Sequence, residues 1–198
     1  MKKLALIILL ACEFVMMGRV YSKNITDEIS DNLLRMHILA NSDKECDQEI
    51  KLKVRDYVID YINEKEIDDK NDVIKYIDDM KNNIDKFLDN NGFEYDSEIL
   101  VSKSEFDTRI YSDISIPAGK YQALKIILGD GEGTNWWCVA YPPLCFTESV
   151  TGEMSTKGND MLSDSLGEEV YNIIKKNNIE YKIKFKSVEL INLFFKNN

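Results

Sequence analysis

The apolar positions of this chain change their spacing several times, and each change marks an element. Residues 33–40 (LLRMHILA) form a short, mostly apolar run that reads as a strand. Ser42, followed three residues later by Glu45, reads as a capping box that opens a helix reaching about residue 63. Ile50, Val54, Tyr57, Val58 and Tyr61 fall on one face of that helix, and Leu52, Ile59 and Ile62 widen the stripe. A polar break at 68–71 precedes a second helix over about 72–89, where Val73, Ile77, Met80, Ile84, Phe87 and Leu88 share a side. Asn90-Asn91-Gly92 stops it, because glycine accepts the positive φ of a helix C-terminus.

Beyond that stop the pattern shortens. Residues 98–102, 108–116, 119–128 and 135–141 read as strands, separated by Pro117-Ala118-Gly119 and by Gly129-Asp130-Gly131-Glu132-Gly133. Together they predict an antiparallel meander. The three spaced glycines lack a P-loop pattern and open no helix, so they read as a hairpin turn and not as a phosphate cradle. A loop rich in Ser, Thr and Gly covers 147–163, and a third helix covers about 165–178. Residues 180–186 read as a last strand with Tyr181, Ile183 and Phe185 on one face, and 188–195 as a short helix. The expected fold class is α+β: a single domain whose antiparallel or mixed sheet has helices packed on it.

The N-terminus stands apart from this pattern. Met1-Lys2-Lys3 is followed by the apolar run 4–11, then Glu13, a second apolar stretch and Gly18-Arg19. A bilayer core needs about 20 apolar residues of helix. This run is shorter and carries a carboxylate, which is the shape of an export signal. The expected division is 1–22 as signal peptide or short membrane anchor and 23–198 as the folded domain. Leu9-Leu10-Ala11-Cys12 also resembles a lipoprotein box, and a buried N-terminal helix is the competing reading.

The formal charge is −10, and removing residues 1–22 makes the remainder more acidic still. An acidic domain repels phosphate backbones, so nucleic acid is not an expected partner. Of the four cysteines, Cys12 leaves with a signal peptide. Cys138 and Cys145 flank Pro142-Pro143, whose turn brings them together as a candidate disulfide. Two buried thiols are the alternative.

Candidate chemistry is sparse. His37 is the lone histidine. With Ser42 or a cysteine it would make an exported hydrolase, and with Cys138, Cys145 and a carboxylate a zinc site. No local pattern supports either, so no catalytic residue, metal or cofactor is expected. A structural hydrogen bond tying the strand to the Asn41-Ser42 turn is the favoured use of His37. Trp136 and Trp137 are the two tryptophans of the chain, adjacent on one strand, and so must face opposite ways. Beside Pro142 and Pro143, an exposed tryptophan suits an interface; a sheet buried on both faces is the alternative.

These segments resemble stage II sporulation protein R of endospore-forming Firmicutes. The resemblance lies in Arg35-Met36-His37-Ile38-Leu39-Ala40-Asn41-Ser42-Asp43, in Asp47-Gln48 and 51–56, in 117–121, and in the run from Gly129 through Asn135-Trp136-Trp137-Cys138 to Pro142-Pro143-Leu144-Cys145-Phe146. It implies an intercellular signalling protein made in the forespore and secreted across the forespore membrane into the space between the septal membranes. There it would activate the membrane-embedded aspartic protease that processes pro-sigma-E in the mother cell. It implies a protein partner and no small-molecule substrate. His37, Asn41, Ser42 and Asp43 form one candidate binding surface, and Trp136, Trp137, Pro142 and Pro143 the other. An extracytoplasmic structural or adhesion domain is the remaining alternative.

Overall fold

The computed structural model describes residues 2–65, 67, 69–111, 113–144 and 156–175. In chain order the elements are α1 (Lys2–Asn32), β1 (Leu34–Leu39), α2 (Glu45–Glu64), α3 (Lys70–Lys75), α4 (Ile77–Asn90), β2 (Ser97–Phe106), β3 (Arg109–Tyr111), β4 (Ile114–Ile116), β5 (Gly119–Leu128), β6 (Asn135–Tyr141) and α5 (Thr156–Ile174).

Among the described residues, the main sheet has four strands in the order β2-β5-β1-β6. β1 runs parallel to β5 and antiparallel to β6, and β2 is antiparallel to β5. The sheet is therefore mixed within an α+β domain, and the simple meander is corrected. β5 and β6 follow one another in the chain but do not pair, because β1 lies between them. The reason is burial: Leu34 to Ile38 are buried on both faces of the strand, and such a strand belongs at the centre of a sheet. The strand expected over 108–116 is instead two short strands, β3 and β4, paired as a separate two-stranded sheet.

The two faces of the sheet carry two cores. Leu34, Met36 and Ile38 of β1 pack with Leu124, Ile126 and Leu128 of β5 against Val54, Val58 and Ile62 of α2 and Met80, Ile84 and Leu88 of α4. On the other face Tyr121, Ala123 and Val139 meet Ile25 and Ile29 of α1, Ile114 and Ile116 of β4, and Leu162, Leu166 and Val170 of α5. The helical spacing of the apolar stripes in α2 and α4 is thus what covers one face. Each fully buried aliphatic side chain contributes roughly 1.5–3 kcal/mol.

Several boundaries differ from expectation. The second helix is broken at Tyr76 into α3 and α4. Tyr76 packs edge-on to Tyr61 of α2, with ring centroids 6.4 Å apart. α5 begins at Thr156, inside the stretch expected to be a loop, and Gly167 interrupts it at φ 71°. The expected strand at 180–186 and helix at 188–195 lie outside the described residues, as do 145–155. α1 runs unbroken across the expected boundary at residue 22: Phe14, Met16, Met17 and Val20 are exposed, whereas Ile25 and Ile29 are buried. Among the described residues, no helix is long and apolar enough to cross a membrane.

Candidate functional site

Two clusters hold the candidate residues, one at the C-terminal end of β1 and one on the α1/α5 face of the sheet. The first is a polar knot. Asn41 Nδ2 and Ser42 Oγ both donate to Asp47 Oδ2, at 3.1 and 2.6 Å, and Tyr95 Oη donates to Asp47 Oδ1 at 2.8 Å. Asn41 Oδ1 accepts the Asp130 N–H at 2.9 Å. Asp43 Oδ1 accepts the N–H and hydroxyl of Thr134 at 2.7 and 2.8 Å. Lys51 Nζ reaches across to the Thr134 carbonyl at 2.8 Å.

The knot corrects two expectations. Ser42 is not a helix cap: Lys44 is the N-cap residue and α2 starts at Glu45. The Ser42 hydroxyl is committed to Asp47, and it accepts the Lys44 N–H at 3.2 Å. The glycine run is not a hairpin turn either. It bridges from β5 past the end of β1 to β6, and its Glu132 and Gly133 N–H groups bond the Asn41 and Ala40 carbonyls. A two-residue hairpin could not span that gap, since neighbouring strands lie about 4.8 Å apart and β5 and β6 are next-but-one. Gly133 sits where a Cβ would collide with the Ser42 carbonyl, and Gly129 (φ 56°) where it would meet Asn41 Oδ1.

Charge in the knot follows the hydrogen bonds. Burial works against the Asp47 carboxylate, but donors from Ser42, Tyr95 and Asn41 outweigh it and hold its carboxyl below the usual range. The Thr134 hydroxyl and N–H do the same for Asp43. Asn41, Ser42 and Asp43 are thus held by this chain's own groups: Asp43 is exposed, while Asn41 and Ser42 are half-buried.

The second cluster is aromatic and cationic. Period-two alternation puts Arg35 and His37 of β1 on the same face. Arg35 is fully buried, and its guanidinium carbon lies 4.4 Å from the Phe106 ring centre and 5.2 Å from that of Tyr121. Nη2 donates to the Tyr111 hydroxyl at 3.2 Å, and Nε and Nη1 have no hydrogen-bond partner. Burial lowers the pKa of this guanidinium and raises that of the Tyr111 hydroxyl. His37 stacks on Trp137, with centroids 4.9 Å apart and planes 8° from parallel, and meets the edge of Phe106 at 6.1 Å.

The expected His37 hydrogen bond to the Asn41-Ser42 turn is absent. Both ring nitrogens are buried without a partner, because the imidazole points into an aromatic face and away from the turn. Burial, with a contribution from Lys125, pushes its pKa down to about 4. Among the described residues, no nucleophile is hydrogen-bonded to it. Trp136 and Trp137 do face opposite ways. Trp136 packs toward the α2 side, where the Arg55 guanidinium lies 4.5 Å from its ring centre, and Trp137 joins the other core. Pro142, following a cis peptide, is buried and Pro143 half-buried. Cys138 is disulfide-bonded and Cys12 and Cys46 are free; Cys145, its expected partner, lies outside the described residues. Among the described residues, no group of three or more metal-ligating side chains is poised to hold a metal ion.

Arg109 and Tyr111 lie outside every motif, and Arg35, Asp47 and Thr134 enter only within the family-like blocks. Arg35 was legible as the odd charge in an apolar strand. The others come into place only through the topology.

The family model for stage II sporulation protein R matches residues 30–151, a span that contains both clusters. The chain belongs to the stage II sporulation protein R family. Stage II sporulation protein R of Bacillus subtilis (strain 168) is 34% identical over 145 residues, covering 70% of this chain and 65% of that relative. No solved structure matches the chain. The family span starts two residues before the end of α1 and takes in all six described strands together with α2, α3 and α4.

Proposed function

We propose that this member of the stage II sporulation protein R family is an exported signalling protein of endospore formation. On this reading it crosses the forespore membrane and binds a membrane-embedded aspartic protease, which then processes pro-sigma-E in the mother cell. Family membership carries the sporulation role. Binding in place of catalysis is supported by His37, whose ring nitrogens touch no nucleophile among the described residues. The positive start, Lys2-Lys3, and the exposed apolar side chains at Phe14, Met16 and Met17 support export or an N-terminal tether.

Activation by binding needs only a differential affinity. If the chain binds the active conformer of the protease more tightly than the inactive one, the population shifts by that ratio. Moving an equilibrium from 1:99 to 99:1 takes a preference of about 10⁴. Co-expression of the full chain with the protease and its pro-sigma substrate tests the proposal. Cleavage should rise when the chain is present, and no rise refutes it. His37→Gln separates this reading from an exported hydrolase: a folded variant that still promotes cleavage leaves His37 without a chemical role.

A further inference from the structure

Resting on the reading that this chain acts by binding a protein partner, we infer that the β3 surface is the docking face, and that it takes an acidic side chain of the partner between Arg109 and Arg35. The cations are the first observation. Arg35 is fully buried with two guanidinium nitrogens unpartnered. Arg109 is exposed, and its charge is felt at Arg35. The chain carries 35 acidic residues against 25 lysines and arginines, yet neither arginine has a carboxylate partner among the described residues. Asp107 and Asp113 flank β3 and pair with neither. A buried cation without a counter-ion is costly, and packing alone does not call for one.

The walls of the site are the second observation. Phe106 and Tyr121 lie over the guanidinium of Arg35 and stack with it, but rings offer no acceptor to its in-plane N–H groups. The sole described hydrogen bond is to the neutral Tyr111 hydroxyl. A carboxylate offers two charged acceptors in the geometry of a guanidinium fork, so it displaces Tyr111 on arrival. The displacement can stay local: Arg109 and Ile110 are exposed and Tyr111 half-buried, whereas all three residues of β4 are buried.

The rim is the third. Ile110 is 56% exposed, and Arg109 lies 5.9 Å from the ring centre of the half-buried Trp137. Tryptophan and arginine beside an exposed aliphatic side chain is the composition that protein interfaces use for their strongest contacts. The partner segment is therefore an acidic residue next to apolar ones.

Binding of the full-length chain to the detergent-solubilised protease tests this, alongside the co-expression cleavage assay. Arg109→Glu should weaken binding by about tenfold or more and lower cleavage in step, since close charge pairs across an interface couple strongly. Arg35→Met should bind as weakly while its urea midpoint is no lower than that of the unaltered chain. Lys86→Glu, the same charge change at an exposed site on α4 across the sheet, should bind normally. Normal binding by Arg109→Glu overturns the inference, and so does an equal loss from Lys86→Glu. If Arg35→Met does not fold, the exposed Arg109 decides alone. An unaltered chain that neither binds nor promotes cleavage rejects the proposed function, and this inference with it.

Discussion

Acid should unfold this protein earlier than its carboxylates require, and His37 is the reason. His37 is 7% exposed, and its imidazole is stacked on Trp137 with no acceptor or donor at either nitrogen. Its pKa falls from 6.5 to about 4, mainly through burial and secondarily through Lys125. Between those values the unfolded chain holds a proton that the folded chain refuses, so lowering the pH favours unfolding. The stability at stake is complete above the unfolded value, falls as pH drops below it, and stops falling below the folded value. Going from about pH 7 to about pH 5, the loss should be about 2 kcal/mol. Asp43, Asp47 and Asp85 have pKa values below 3.8, so their contributions are lost only at lower pH. Urea unfolding at both pH values, on the unaltered chain and on His37→Phe, isolates the effect. The ring in the variant keeps the stack and cannot titrate, so its stability should change less over that interval by about 2 kcal/mol. Parallel pH dependence in the two proteins would refute the reasoning and place His37 in contact with water or an acceptor.

Other outcomes follow from the knot and the cysteines. Gly133→Ala should destabilise by about 1–3 kcal/mol in urea unfolding, because its Cβ meets a backbone carbonyl that cannot rotate away. Asp47→Ala strips the acceptor from Ser42, Asn41 and Tyr95 and should cost about 3 kcal/mol; a loss below about 0.5 kcal/mol would show that those donors find other partners. The Asp47 contribution is present above the ordinary carboxylate pKa and declines as pH falls through its lowered folded value. Alkylation of the full chain without reductant, read by mass spectrometry, should label Cys12 and Cys46 and spare Cys138.

How much of this was legible in the sequence depends on whether the signal was local. The apolar stripe of α2, the stop at Gly92 and the extents of β5 and β6 are set by side-chain period and by backbone freedom at glycine, and the structure has them where the spacing places them. The opposite facing of Trp136 and Trp137 is likewise a property of any extended strand. The capping box failed because the Ser42 hydroxyl is committed to Asp47 and the helix starts two residues later than the box requires, and the neighbouring Asp43 is likewise committed to a distant partner. Ser42 bonds Asp47 and Asp43 bonds Thr134, and the Thr134 contact spans 91 positions of chain.

By itself the sequence determined the apolar faces of α2 and α4, the extents of β5 and β6, and, through its signature blocks, the family. Only the tertiary structure decided that β1 inserts between β5 and β6. That single placement turns the glycine run from a hairpin into a bridge, and it gathers Asn41, Asp47, Tyr95 and Thr134 into one network. It also stacks His37 on Trp137, its partner in strand pairing. The physical reason is that strand order is fixed by which strands can be buried on both faces, a global competition among all of them. Turn chemistry and local propensity see only neighbours in the chain.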